Sequence, residues 1–230
     1  VLLIGLLWIG PMNLYDAVNH ALTAISTGGY STKNASIAYW HSAYIEYVIT
    51  IFMFIGATNI TLIYFCLNGN IKKLFFDEEF RWFFWFVLIM TGITTGWIMY
   101  HGFFTDFPTA FRQAAFQVVT LVSTCGFATE NYIPWGPFFW MIALILMFIC
   151  GCAGSTCGGL KMGRFVILSK NLFNEFKKQT HPHAIIPVRM DSHIVSGEVV
   201  HRVLAFAFAY MSLIVLSCAV LMLDGLGFEE

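Results

Sequence analysis

Ser26-Thr27-Gly28-Gly29-Tyr30-Ser31-Thr32 returns 97 positions later as Ser123-Thr124-Cys125-Gly126-Phe127-Ala128-Thr129. Each copy follows a short apolar run and precedes a longer one. Within a bilayer, a loop of small residues is tolerated only where protein buries it or where it lines a water-filled path. A lone string of this kind reads as a tight turn. Two copies in the same setting read as pore loops.

The composition fits a membrane setting. Of 230 residues, 58% are hydrophobic and only 11% are charged, with 24 Phe and 7 Trp; a soluble domain carries about 25% charge. The net charge of −1 implies no bulk attraction to nucleic acid. Val1–Ile9 is too short to span a bilayer and lacks the basic flank of a signal peptide. It reads as the remnant of a longer helix, so the chain is expected to be a fragment. The six cysteines (Cys66, Cys125, Cys150, Cys152, Cys157, Cys218) show no disulfide-framework spacing. No His or carboxylate lies within the 150–157 cluster, so no structural metal is expected.

Spanning takes roughly 20 apolar residues in a helix. Ala43–Leu67, Phe80–Tyr100 and Val199–Leu223 meet this, with their charges near one end. Gly136–Ile167 is long enough, but Gly151-Cys152-Ala153-Gly154-Ser155-Thr156-Cys157-Gly158-Gly159 interrupts it, and glycine disfavours helix by about 1 kcal/mol relative to alanine. Pro11–Ile25 and Pro108–Val122 are too short to cross, and proline suits a helix start. Both end in the repeated motif, which makes them re-entrant half-helices. The similarity extends further. The same offset pairs Ala17 with Ala114 and Thr23 with Thr120, and a slightly shorter one pairs Met53-Phe54-Ile55 with Met147-Phe148-Ile149.

Ten basic residues (Lys72, Lys73, Arg81, Lys161, Arg164, Lys170, Lys177, Lys178, Arg189, Arg202) flank or fill the two long connections, against Lys33 and Arg112 on the other side. The positive-inside rule then places those connections in the cytoplasm and the loop entrances outside. Asp16, Glu46, Asp106 and Glu130 fall outside, where they either concentrate cations or are ordinary solvated acids.

A dehydrated monovalent cation needs oxygen ligands, and backbone carbonyls supply them without holding the ion too firmly. Thr27, Gly28 and Gly29, with Thr124, Cys125 and Gly126, offer such backbone with little side-chain bulk. Glycine permits the positive φ that turns successive carbonyls to one side. The half-helix before each loop aims its negative C-terminal end inward, which suits a cation and repels an anion. Tyr30 and Phe127 are expected to pack behind the loops as struts.

The Gly-rich interruption lies on the cytoplasmic side of the second loop. Unwound backbone there can obstruct the path, and a Gly-rich segment moves aside readily. Lys161 either repels a cation in a closed state or snorkels to the headgroups. The string lacks the order of a phosphate-binding GxxxxGK[ST] loop. Between Ser169 and Glu198 the chain turns polar, with Lys177-Lys178 and His181-Pro182-His183. It reads as a cytoplasmic connection with one short amphipathic continuation, and its basic character suits docking of a cytosolic partner.

Three strings carry a family resemblance: Ala24-Ile25-Ser26-Thr27-Gly28-Gly29-Tyr30-Ser31-Thr32, Ser123-Thr124-Cys125-Gly126-Phe127, and Gly151 through Lys161. The chain resembles the Trk/Ktr/HKT superfamily of potassium transporters, most closely the Trk-type pore subunit. That resemblance implies an all-α integral membrane protein of repeated helix–pore loop–helix units, potassium-channel-like, around one ion path. It makes Gly29 and Gly126 the filter glycines of repeats two and three. It also makes Gly151, Gly154, Ser155, Thr156, Gly158, Gly159 and Lys161 an intramembrane gating loop.

The expected boundaries follow from it. Residues 1–67 carry the end of a first helix, pore helix, filter loop and second helix of repeat two. Residues 68–79 form a cytoplasmic connection, and 80–168 form repeat three with its broken second helix. Residues 169–198 form a second connection. Residues 199–230 open repeat four, with Phe228-Glu229-Glu230 starting its pore helix. Sodium-favouring plant relatives are associated with serine at a filter glycine, and neither glycine is replaced here. Cys125 and Cys157 depart from the small residues common in the family; because backbone would coordinate the ion, little change is expected.

The resemblance further implies potassium as the transported ion with no organic cofactor, and a setting among lipids of the bacterial inner membrane. Its expected partners are a second copy in a homodimer and a cytosolic nucleotide-binding regulatory subunit of the RCK/KTN, TrkA-like type. The alternative is a sodium- or proton-coupled secondary transporter, which would call for inverted repeats and an intramembrane carboxylate. The repeats here run in one direction, and no Asp or Glu is expected deep in a span. No nucleophile–base pair sits at one depth, so no enzyme is expected.

Overall fold

The structure, a computed structural model, describes residues 1–181 and 186–223. His183 and the expected pore-helix start Phe228-Glu229-Glu230 lie outside the described residues. The chain divides into two units, Val1–Gly163 and Arg164–Glu230.

The first unit opens with α1 (Leu2–Ile9) and α2 (Leu14–Ile25). Asn13 caps α2 by accepting from the Asp16 amide at 2.7 Å, so the half-helix expected from Pro11 starts at Leu14, and Pro11 lies in the turn before it. A 3₁₀ turn (Ser36–Trp40) leads to α3 (Ala43–Gly56) and α4 (Ile60–Leu67). Here the structure departs from the expectation of one span over Ala43–Leu67. The helix bends by 108° between α3 and α4. Asn59 starts α4 as a cap, accepting from the Thr61 amide at 2.8 Å, so the chain restarts a helix rather than continuing one.

After α5 (Ile71–Phe76), α6 (Glu78–Tyr100) begins on Asp77, whose carboxylate accepts from the Phe80 amide at 2.8 Å. Then come α7 (Phe107–Val122), with Pro108 in its first turn, and α8 (Pro137–Ile149). Irregular backbone follows from Cys150 to Lys161, where α9 (Met162–Thr180) starts.

Lipid tails are as apolar as leucine, so membrane helices associate through close packing, and small residues let backbones approach. Ala17, Ala21 and Ala24 of α2 and Ala110 and Ala114 of α7 are all buried. Ala110 and Ala114 pack with Ile98 of α6 and with Trp135, Phe139 and Ala143 around α8.

In the second unit α9 runs on to Thr180, well past the expected end of repeat three, and finishes on Lys177 and Lys178. A short hairpin, β1 (Arg189–Met190) with β2 (His193–Ile194), turns through Asp191 and Ser192 at φ 48° and 67°. That is the left-handed pair a two-residue hairpin needs. Lys170 donates to the Arg189 carbonyl at 2.7 Å. The hairpin is too short to show a period-two pattern, and the sequence reading had only a polar connection here. α10 (Gly197–Leu223) matches the expected span at Val199–Leu223. Among the described residues α6 and α10 are each long and apolar enough to cross a membrane, and α3 with α4 qualifies as a bent pair.

Candidate functional site

The two pore loops have the same backbone. Thr27 and Thr124 take φ 53° and 55°, and Gly29 and Gly126 take 65° and 85°. The left-handed region costs a residue with a Cβ about 1–2 kcal/mol, so each threonine needs something to hold it there. Thr23 does so in the first copy. Its carbonyl accepts from the Gly28 and Gly29 amides at 2.8 and 3.4 Å, and its hydroxyl donates to the Tyr30 carbonyl at 2.9 Å. Thr120 does the same in the second, accepting from Cys125 and Gly126 at 3.0 and 3.3 Å and donating to Phe127 at 3.1 Å.

The outer scaffold repeats too. Thr32 donates to Asp16 at 2.5 Å, and Thr129, 97 positions on, donates to Gln113 at 2.6 Å. Each bond ties the returning chain to its own half-helix.

The loops also meet each other. A Cβ on Gly29 would overlap the carbonyl of Cys125, so only glycine lets the two backbones come this close. Past the two loops, the Ala38 amide donates to the Ala128 carbonyl at 3.1 Å, and the Ala128 amide donates to Ser36 Oγ at 3.2 Å. The thiol of Cys125 turns to the Thr23 carbonyl at 3.8 Å.

Beneath both loops lies the Gly-rich break. Thr27 donates its hydroxyl to the Thr156 carbonyl at 3.1 Å, and the Gly158 amide donates to Thr124 Oγ1 at 3.1 Å. Thr156 in turn donates to the carbonyls of Ile25 and Gly56 at 3.0 and 3.3 Å. The break also pairs with the bend between α3 and α4: the Cys152 amide donates to Ala57 at 2.8 Å, and the Ile60 amide to Gly154 at 3.2 Å. A Cβ on Gly151 would stand 2.6 Å from the Ala57 carbonyl, and one on Gly159 would overlap the Cys150 sulfur. Gly154, at φ 74°, lies against the Asn59 side chain. Of the expected gating residues, Thr156 and Gly158 therefore touch the two repeated loops directly. Gly151 provides clearance for the Ala57 carbonyl, Gly154 for the Asn59 side chain and Gly159 for the Cys150 sulfur.

The Lys161 ammonium folds back on the break, donating to Ser155 O and Oγ, both at 3.2 Å, and to the Cys157 carbonyl. Ser155 Oγ itself donates to Cys152 at 2.6 Å.

A family model described as "TrkH: Cation transport protein" matches residues 7–228. The chain belongs to the TrkH family. It is 34% identical to the Trk system potassium uptake protein TrkH of Salmonella typhimurium over 95% of this chain and 46% of that protein. It is also 34% identical to the Trk system potassium uptake protein TrkG of Escherichia coli, over 96% of this chain and 45% of that one. The crystal structure of the potassium transporter TrkH from Vibrio parahaemolyticus superposes with a TM-score of 0.93 at 32% identity, covering 98% of this chain and 49% of that one. The chain thus spans about half the length of the TrkH-family relatives it matches, and its fold is that of an all-α, multi-pass membrane transporter.

Within this TrkH-type fold, several side chains differ from their expected roles. Phe127 is buried, stacked on His20 at 5.7 Å, and is a strut; Tyr30 is 79% exposed and is not. Asp16 and Glu46 are buried rather than solvated. Asp16 takes the Thr32 hydroxyl and lies 3.8 Å from Lys33, while Glu46 accepts from Arg112 at 2.8 Å and Gln113 at 3.1 Å. Lys33 and Arg112, the two basic residues expected outside, thus pair with Asp16 and Glu46. Asp106 and Glu130 are exposed.

Glu79 was missed altogether, because the expected span began at Phe80. It is 7% exposed and faces the break. The available signal was the acidic trio Asp77-Glu78-Glu79 on a side where basic residues dominate.

Proposed function

We propose that this chain contributes two pore loops and a gate to a potassium uptake path across the bacterial inner membrane. Backbone of Thr27, Gly28 and Gly29 and of Thr124, Cys125 and Gly126 lines the filter. Such carbonyls replace part of the ion's water shell and still let it leave. The negative C-terminal ends of α2 and α7 add a field favouring cations. No covalent step is involved.

One observation carries the reading: two loops of identical left-handed backbone stand side by side and are hydrogen-bonded, through Thr27 and Thr124, to the same Gly-rich break. In this position the segment from Gly151 to Lys161, with Ser155, Thr156, Gly158 and Gly159, blocks the cytoplasmic exit. Conduction requires it to leave the filter threonines. Lys161 holds the break in shape by gathering its carbonyls. The space beside Gly126, where a Cβ would meet nothing within 4 Å, is where a further loop of the ring stands. The relatives' names, potassium uptake proteins of Trk systems, support the same ion. In that setting the chain works within lipid, as a homodimer, under a cytosolic nucleotide-binding regulatory subunit that docks on its basic cytoplasmic connections.

The test is Gly126→Ser in the full-length protein, expressed in bacteria lacking other potassium uptake. Potassium uptake is expected to fall about tenfold and the preference over sodium to narrow, because the serine adds strain and a hydroxyl at the filter. Unchanged uptake and preference would refute the filter assignment.

A further inference from the structure

The proposed gate is bonded to the filters above and to the α3–α4 bend beside it, and its two ends are joined by backbone bonds, from the Leu160 amide to the Phe148 carbonyl at 3.2 Å and from the Met162 amide to the Gly151 carbonyl at 2.9 Å. Cys150 leaves α8 and Met162 starts α9, and the break between them is mostly glycine and small residues. A buried carboxylate adds a further tie. Glu79 Oε1, from the first turn of α6, accepts from the Ala153 amide at 2.6 Å and from the Gly163 amide at 2.8 Å. Ala153 lies three residues inside the break, and Gly163 lies in the first turn of α9. Gly163 also gives the carboxylate its room, since a Cβ there would stand 2.9 Å from Glu79 Oε1. The Gly163 amide is one of the four a helix leaves unpaired at its start, and a negative charge there is favourable. A simple helix cap would need only that bond. The second, to Ala153, makes one oxygen tie the break to α9.

We propose that Glu79 is a positioning residue that ties Ala153, inside the Gly-rich break, to the start of α9 and so holds the break under the filters. The inference rests on the reading of that break as a gate. α6 is a long helix with its own Asp77 cap, so the clamp ties the mobile element to a fixed one. Opening must break the bond to Ala153, whereas the bond to Gly163 can persist as the cap of α9. Weakening the clamp favours the open state, and a population shifts by the differential stabilisation lost.

The experiment uses full-length protein reconstituted in liposomes with potassium as the only permeant cation, and then with sodium. Three variants are compared: Glu79→Ala, Glu79→Gln and Gly163→Ala. Glu79→Ala removes the acceptor, and Gly163→Ala displaces it while keeping the charge. The basal potassium flux is expected to rise roughly fivefold or more for Glu79→Ala and roughly threefold for Gly163→Ala, with Glu79→Gln in between, because charged acceptors bond more strongly than neutral ones. Half-saturating potassium and the preference over sodium stay unchanged. The double variant Glu79→Ala/Gly163→Ala exceeds Glu79→Ala alone by less than twofold, since both act on one contact.

A merely structural carboxylate would give less folded protein and lower flux, never more flux per folded molecule. Should Glu79→Ala not fold, Gly163→Ala and Glu79→Gln decide. Thr156→Val, which cuts the break from the pore helix, separates this inference from the gate itself. If it raises flux while the clamp variants do not, the clamp is wrong and the gate stands. If none of the variants changes flux, both are wrong.

Discussion

In the first pore loop a Cβ on Gly29 would run into the Cys125 carbonyl, whereas in the second the same atom on Gly126 would meet nothing within 4 Å. The loops otherwise share their φ values, their helix-end threonine and the hook on the returning chain. A repeated sequence therefore built the same local backbone twice, and the neighbour of each copy made their tolerances unequal. Local geometry was set by spacing. The cost of changing it is set by what stands alongside.

The largest expected effect breaks that comparison or establishes it. Gly29→Ala combines left-handed strain with overlap on backbone that cannot swing away, and potassium uptake is expected to fall at least about 100-fold. Gly126→Ala carries the strain alone, which amounts to about tenfold. Equal losses in a whole-cell uptake assay would show that both loops are equally enclosed.

A middle-sized effect sharpens it. Thr120 is buried and Thr23 is partly exposed, so the carbonyl left without its hydroxyl partner is drier in the second loop. Thr120→Val is expected to cost about 1–3 kcal/mol, and Thr23→Val less, because water can reach the carbonyl. Thermal unfolding of the purified protein reads the difference, and a larger loss for Thr23→Val would reverse it.

The smallest effect belongs to Cys125, where the first loop has Gly28. The cysteine is buried, and its sulfur lies 3.8 Å from the Thr23 carbonyl. Cys125→Ala is expected to change uptake by less than about twofold, as a small apolar residue replaces another. A tenfold change would mean that the thiol takes part in the ion path.

The contrast between the two outgoing helices shows where sequence reading ran out. Both were paired through Met53-Phe54-Ile55 and Met147-Phe148-Ile149, and both end within a residue of those strings, at Gly56 and Ile149. Only the second break was legible, because its glycines are dense. The first has a single Gly56 followed by Ala57-Thr58-Asn59, which is unremarkable in composition. It bends because the Gly-rich break takes the Ala57 carbonyl and gives Gly154 O to the Ile60 amide. A partner 90-odd positions away supplied the bonds that the continuous helix would have made internally, and no local signal records that.

Sequence alone determined the membrane setting, the pore helices, the two glycine loops and the Gly-rich break, because each depends on length, apolarity and glycine content within one segment. Tertiary structure decided which residues act on one another: Gly29 against Cys125, Thr27 on Thr156, Glu46 with Arg112, and Glu79 with Ala153 and Gly163. The reason is physical. Helix and loop formation are governed by neighbours in the chain, whereas a buried carbonyl or carboxylate takes whichever donor the packing brings within about 3 Å.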